Sequence, residues 1–244
     1  MTDKLRQYLA DPESYPAVFM YGSDGKGGLW KTRNVPAKYS ECWMENLPIA
    51  EANPKAYATV EKYVSDIIHY VDEKKVGLFF FSKPTVENTF GTGTGKSRTS
   101  VTILNHYLYE RLRLHLRGDK DIVDNPVYFL KSNDLQVAFN AQFRGTAQMQ
   151  QEASTRYYAI KKRAKTVDLL VVDDIATKAS TEAFTEELYE LVDHRSTEEL
   201  VTIYTSNEPL SEVGKLLGDR IASRIEGATV ALPFTGKDWR KKTI

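Results

Sequence analysis

Short apolar runs alternate with stretches of helical period along most of this chain, and that alternation restricts the fold more than any other feature of the sequence. Val76-Gly77-Leu78-Phe79-Phe80-Phe81, Val127-Tyr128-Phe129-Leu130, Leu169-Leu170-Val171-Val172, Val201-Thr202-Ile203-Tyr204 and Thr229-Val230-Ala231-Leu232 each read as a short buried strand. Ala56, Val60, Tyr63, Val64 and Ile67 recur at helical spacing ahead of the first run. Thr99 to Leu116, Asp134 to Phe143, Gln148 to Lys165 and Glu182 to His194 are further predicted helices, with Ser132 or Asn133 the expected cap of the second. Such an order implies an α/β fold, a parallel sheet covered by helices on both faces. Residues 1–50 differ in texture. Pro16, Gly22, Gly25, Gly27, Gly28, Pro36 and Pro48 interrupt them, which predicts a short irregular module or linker at 1–52 ahead of a main domain at 53–244.

Gly93-Thr94-Gly95-Lys96-Ser97 falls between the Phe-rich run and the long helix, the place where a phosphate-binding loop has to sit. Glycines free backbone N–H groups to wrap phosphates at a helix N-terminus; Lys96 would reach the outer phosphates and Ser97 would ligate magnesium. The complete pattern asks for glycine five positions before Gly95, where Phe90 stands with Gly91 beside it. Gly91, Gly93, Thr94, Gly95, Lys96, Ser97 and Arg98 are the candidate nucleotide-binding residues.

Asp173 and Asp174 follow the apolar Leu169–Val172 run and so emerge at the carboxyl end of a buried strand, where ligands of open α/β sheets gather. Alone, such a pair serves equally as a turn or a helix cap. With the loop present, Asp173 is assigned to magnesium and Asp174 to polarising the attacking water. Thr205-Ser206-Asn207 ends the next strand, and an amide there can sense a terminal phosphate, although a turn ahead of Pro209 explains the same residues. Arg220 and Arg224 lie four apart on one helix face. A guanidinium supplied by a neighbouring subunit neutralises developing phosphoryl charge, whereas two exposed arginines are ordinarily a solvated face.

The remaining composition excludes more than it assigns. Lys+Arg and Asp+Glu number 33 each, so any nucleic-acid contact has to come from a local patch. The single cysteine, Cys42, cannot form an internal disulfide, and His69, His106, His115 and His194 lack metal-ligand spacing. No run reaches the length of a membrane span and the first residues have no signal-peptide pattern, which makes the cytoplasm the expected compartment.

The ordered motifs GTGTGKS, LLVVDDI, TIYTSNEP, GDRIASRI and LPFTGKDWR resemble the AAA+ core of bacterial replicative-helicase loaders of the DnaC/DnaI kind, over roughly residues 53 to 240. The resemblance implies a P-loop ATPase that uses ATP and Mg2+, assembles as a homo-oligomer with ATP sites between subunits, and delivers a hexameric replicative helicase onto single-stranded DNA. It carries the arginine finger to Arg224 and its companion to Arg220, and Arg195 matches a recurrent arginine of the family. It implies no carboxyl-terminal helical lid. Residues 1–50 lack the cysteines of the zinc-bearing module of some members, which points to a shortened, metal-free module of a phage-encoded member. A transposition helper of the IstB kind shares the motif order, and a nucleotide-binding adaptor with little turnover is a third reading.

Two surfaces complete the expectations. Arg156, Tyr157, Tyr158, Lys161, Lys162, Arg163 and Lys165 interleave cations with aromatics, as a surface tracking a single strand does, or else form a solvated helix; the basic tail from Lys237 to Lys242 would assist. Trp30, Tyr39, Trp43 and Met44 sit in a segment too interrupted to bury them in a core of its own, so they dock on the ATPase core or grip the helicase.

Overall fold

The computed structural model describes residues 3–176 and 180–240. Its centre is a sheet of β1 (Gly77–Ser82), β2 (Val127–Lys131), β3 (Leu169–Asp173), β4 (Val201–Ser206) and β5 (Thr229–Phe234), ordered β2-β3-β4-β1-β5, with every neighbouring pair parallel. The expected parallel sheet is therefore present. Placing β1 between β4 and β5 aligns the ends of β1, β3 and β4 on one edge, where the chain leaves each strand toward a helix.

The helices are α1 (Asp3–Ala10), α2 (Tyr15–Tyr21), α3 (Gly28–Thr32), α4 (Pro54–Ser65), α5 (Lys96–Leu116), α6 (Ser132–Ala141), α7 (Ala147–Thr166), α8 (Glu182–Thr197), α9 (Leu210–Leu217) and α10 (Asp219–Ala228). Successive strand residues point to opposite faces, and both faces are apolar. Leu78, Phe80, Phe129, Val171 and Ile203 meet α4 and α5, whereas Phe79, Tyr128, Leu130, Val172 and Tyr204 meet the layer of α6 to α10. Burial on both sides explains why the strands read as continuous apolar runs.

Two local expectations need correction. Neither Ser132 nor Asn133 caps α6: the helix starts at Ser132 after Lys131, with no side-chain cap. The described residues 3–50 form three helices plus 3-10 turns at Ala37–Tyr39 and Met44–Asn46, more ordered than a linker. Each helix is too short to persist alone, so packing holds them. Met20, Leu29, Cys42, Leu47 and Ile49 belong to the same core cluster as α4, α5 and the sheet. Trp30 and Trp43 stack at 5.9 Å and meet Tyr109 of α5 edge-on, while Tyr39 and Met44 lie half-buried against that cluster. These four side chains dock on the core formed by α4, α5 and the sheet.

Hydrogen bonds fasten the same segment. The Phe129 N–H donates to the Arg33 carbonyl (2.8 Å) and Asn34 Nδ2 donates to the Phe129 carbonyl (2.9 Å), covering the free edge of β2. The buried Arg33 guanidinium donates to Asn105 Oδ1 (2.8 Å) and Ser40 Oγ (2.8 Å) and lies 3.4 Å from the Trp30 ring centroid. Asn105 Nδ2 in turn donates to the Cys42 carbonyl (3.0 Å). Burial lowers the Arg33 pKa to about 10, which leaves it charged at neutral pH.

Deleting residues 1–52 is expected to abolish cooperative thermal unfolding, because it uncovers both the β2 edge and an apolar face. Asn105→Ala, which leaves Arg33 short of an acceptor, is expected to cost about 2 kcal/mol in urea titration. A truncated chain melting sharply at the full-length temperature would show the segment to be energetically dispensable.

Candidate nucleotide-binding site

β1 ends at Ser82, and the chain returns to the sheet edge through a loop that closes at Lys96, the first residue of α5. Phe90 points outward at 82% exposure, so the missing glycine leaves no clash inside the loop. Gly91 meets the demand instead: its φ is +58°, and a Cβ there would stand 2.7 Å from Ser82 Cβ. Its carbonyl accepts from Ser82 Oγ.

Lys96 is buried, and its Nζ donates to Ser82 Oγ (2.5 Å) and Asn207 Oδ1 (3.0 Å). Burial lowers its pKa to about 8 against the opposing pull of Asp174 and Asp173, with the Arg240 charge adding to the depression. At the end of β3, Asp173 Oδ1 accepts from Ser97 Oγ (2.7 Å) and from Thr205 Oγ1 (2.8 Å). Thr205 Oγ1 also accepts from the Asp174 N–H (2.8 Å), so one buried hydroxyl sets both acids. Asp174 holds φ at +59°, a conformation aspartate tolerates better than branched residues. Asn207 Nδ2 lies 3.4 Å from Asp174 Oδ1. Burial, then Asp173, raises the Asp174 pKa above the usual carboxylate range.

These groups line an open cavity of about 440 Å³ at the carboxyl edge of the sheet. Of the residues expected from sequence, Gly93, Thr94, Gly95, Lys96, Ser97, Arg98, Asp173, Asp174 and Asn207 line it. Gly91 shapes the loop from behind. Arg220 and Arg224 are exposed on α10 and do not line the cavity of their own chain; Arg224 Nε pairs with Asp193 of α8 at 2.8 Å. Sequence reasoning missed Lys38, Tyr39, Thr92, Lys131, Asn133, Thr205, Trp239 and Arg240, which also line it. For Thr205 the signal was available, a hydroxyl one residue from a strand tip; for Lys38 and Tyr39 it was not, since only the tertiary fold brings them there.

Arg195 lies elsewhere and is fully buried. Its Nε donates to Thr202 Oγ1 (2.8 Å), Nη1 to the Ala164 and Val167 carbonyls (2.8 and 2.9 Å) and Nη2 to the Val201 carbonyl (2.6 Å), joining α7, α8 and β4. The cation-aromatic stripe on α7 is also largely committed to packing. Tyr157 is buried and donates to Glu187, Lys161 pairs with Glu187 and Glu190, Lys165 pairs with Glu190, and Arg163 lies over the Tyr128 ring. Arg156, Tyr158 and Lys162 remain exposed. At the carboxyl end Lys237 lies over Trp239, Arg240 faces the cavity, and Lys241 and Lys242 fall outside the described residues. No helix among the described residues is long and apolar enough to cross a membrane.

No family model matches the chain. It is 24% identical over 206 residues to the replicative helicase loader DnaC of Escherichia coli K12, covering 84% of this chain and 71% of that relative. A crystal structure of the DnaC helicase loader superposes with a TM-score of 0.58 at 18% identity, over 82% of this chain and all of that one. AMPPCP-bound DnaA from Aquifex aeolicus superposes with a TM-score of 0.53 at 20% identity, over 83% of this chain and 51% of that one. The fold is that of AAA+ ATPase domains.

The Lys96 pKa yields a pH prediction. Below about 8 its ammonium is charged and attracts phosphate; above that value the charge is lost. Affinity for a nucleoside triphosphate is expected to fall between pH 7.5 and pH 9.5, by roughly tenfold for loss of one charge-assisted contact. Calorimetric titration across that range checks it, and a flat profile would show that Lys96 does not meet phosphate.

Proposed function

We propose that this chain, a homologue of the replicative helicase loader DnaC built on the AAA+ ATPase fold, is an ATP-dependent loader that delivers a hexameric replicative helicase onto single-stranded DNA in the cytoplasm. The observation that supports it most is the meeting of Lys96, Ser97, Asp173, Asp174 and Asn207 in one cavity at the strand ends. In this reading the backbone of Gly93, Thr94 and Gly95 cradles phosphates, Arg98 lies along the same loop, and Lys96 offsets charge on the outer ones. Ser97 and Asp173 fit magnesium: they are hard oxygen donors already within 2.7 Å of each other, and the described residues hold no cluster of protein ligands that would bind a metal without help from phosphate oxygens. Magnesium bound there would draw charge from the transferring phosphoryl group. Asp174 serves as the water-polarising base, its raised pKa bringing it nearer to neutrality, and Asn207 orients it.

The partner contact is assigned to the amino-terminal segment. With Trp30 and Trp43 stacked inside, its outward apolar residues are Tyr8, Tyr15 and Val18 at 47%, 60% and 37% exposure. Single-stranded DNA is assigned to the exposed Arg156, Tyr158 and Lys162. A loading assay with the host helicase tests the whole: wild type plus ATP should place helicase on single-stranded DNA, and Tyr8→Glu/Val18→Glu should lose helicase capture while retaining ATP turnover. Capture of a transposase in place of a helicase would favour the transposition-helper reading.

Lys96→Ala is expected to abolish nucleotide binding, while Asp174→Asn should bind ATP within about threefold of wild type and turn it over at least about 100-fold more slowly. Equal loss of binding and turnover in Asp174→Asn would exchange the roles of the two aspartates.

Arg224 is assigned to the site of a neighbouring subunit, since its own cavity excludes it. Arg224→Ala mixed with Lys96→Ala protein should recover turnover at interfaces joining an intact finger to an intact loop. No recovery at any ratio, with co-assembly shown by light scattering, would place Arg224 outside the reaction.

A further inference from the structure

Arg224 is exposed, yet it does not hang free of the fold. Ile221 and Ile225 of α10 are buried in one cluster with Leu188, Leu191 and Val192 of α8, and that seam brings Arg224 beside α8. There its Nε donates to Asp193 Oδ1 (2.8 Å), and the Tyr189 hydroxyl donates to the same oxygen (3.4 Å). Tyr189 and Asp193 lie four apart, on one face of α8. The acid also stands on a fixed support. Arg195, two residues farther along, is fully buried and donates to the carbonyls of Ala164, Val167 and Val201, which ties α8 to α7 and to β4.

Stability does not account for this pair. Its side chains are 46% and 35% exposed, and ion pairs that solvent reaches add little to folding. Its geometry has a different consequence. The bond falls on Nε, so the terminal fork of Nη1 and Nη2, the part of a guanidinium that matches phosphate oxygens, keeps donors for another group. An arginine on an exposed helix face samples many rotamers, and ordering it at the moment of reaction raises the barrier. A carboxylate on a neighbouring, anchored helix removes much of that freedom beforehand.

We propose that Asp193 is a positioning residue for ATP turnover: it holds the Arg224 guanidinium by Nε and presents the terminal fork to the outermost phosphate in a neighbouring subunit's cavity. This rests on the reading of Arg224 as a finger that acts across a subunit boundary. Asp193 touches neither nucleotide nor water in this arrangement. Its effect is on the reaction of the neighbour's site and not on that of its own, and it falls on the transition state, where charge on the transferring group develops. Turnover therefore depends on it while the affinity for ATP does not.

The test uses the full chain and steady-state hydrolysis of Mg-ATP. Asp193→Ala is expected to lower kcat about tenfold with KM within about twofold of wild type and the melting temperature unchanged, and Asp193→Glu, which keeps the carboxylate, should recover part of the loss. Adding Asp193→Ala to Arg224→Ala should cost nothing further, since the acid acts only through the arginine. Mixing supplies a readout that a merely structural role would not move. Lys96→Ala protein carries an intact Asp193 and Arg224, so it should restore turnover at the intact loop of an Asp193→Ala neighbour. A loss in Asp193→Ala that Lys96→Ala protein does not relieve, with co-assembly shown by light scattering, would mean that the acid serves its own site, and the proposal fails. A faster Asp193→Ala protein would mean that the acid restrains the finger instead of aiming it, which also overturns the proposal. If Asp193→Ala keeps wild-type turnover while Arg224→Ala loses it, the finger stands and needs no aiming. If Arg224→Ala itself turns over ATP as wild type does, the finger reading fails, and Asp193 with it.

Discussion

The buried ammonium of Lys96, held by Ser82 from the end of β1 and Asn207 from the end of β4, is the interaction on which the arrangement of the site depends. A charge in that position is costly unless its hydrogen bonds are made and opposite charge stands near. Both conditions are met only because the strand order brings β1, β3 and β4 side by side, so that Asp173 and Asp174 emerge where the lysine arrives. The parallel sheet is thus more than a scaffold. Its register decides whether the loop lysine faces acids or solvent, and Thr205, paired in register with Phe80 of β1, locks the acids of β3 to the strand between.

The amino-terminal segment shows the same interdependence at the other edge. An outer parallel strand leaves unpaired N–H and carbonyl groups, a template for unwanted pairing. Arg33 and Asn34 cover that edge at Phe129, and the Arg33 side chain crosses to Asn105 on the helix that begins at Lys96. Tyr39, a few residues on, lines the cavity proposed to take the nucleotide. The segment that carries the proposed helicase contact is therefore one packed chain away from the cavity that Lys96 lines. Any displacement of it acts on α5 directly.

What could be read from sequence followed the physics of repetition. Apolar runs of four or more residues are long enough to announce strands buried on both faces, and the glycine, lysine and serine of the loop announce themselves by spacing. The first fifty residues could not be read that way, because α2 and α3 are held by contacts from Tyr109, Asn105 and the β2 edge instead of by their own propensity. Lys161 misled for a related reason. On a helix it looked like solvent-facing charge, yet Glu187 and Glu190, a whole helix and a strand away, pull it to the surface of α8. Charge on a helix reveals its partner only after the partner's position is known. Phe90 gave the opposite lesson, since the rule it breaks concerns a φ and a close contact that Gly91, one residue later, satisfies.

In the proposed function a chain of zero formal charge contacts both a polyanionic nucleotide and single-stranded DNA, so it has to create its fields locally, and the distribution of its cations fits that demand. Arg33, Arg195 and Lys161 are spent on backbone carbonyls, amides and carboxylates inside the fold, so their charge does not reach solvent. Lys96 and Arg240 line the cavity proposed to take the nucleotide from two different chain segments. On α7, Arg156 and Lys162 are what remains for a strand of DNA, too few to bind it tightly against physiological salt. Affinity for DNA in this reading has to come from several subunits presenting the same short stripe side by side, each adding its few phosphate contacts to those of its neighbours. The assembly that places Arg224 beside a neighbour's phosphates would then also be the assembly that makes the DNA surface, so nucleotide and DNA binding would strengthen each other through it.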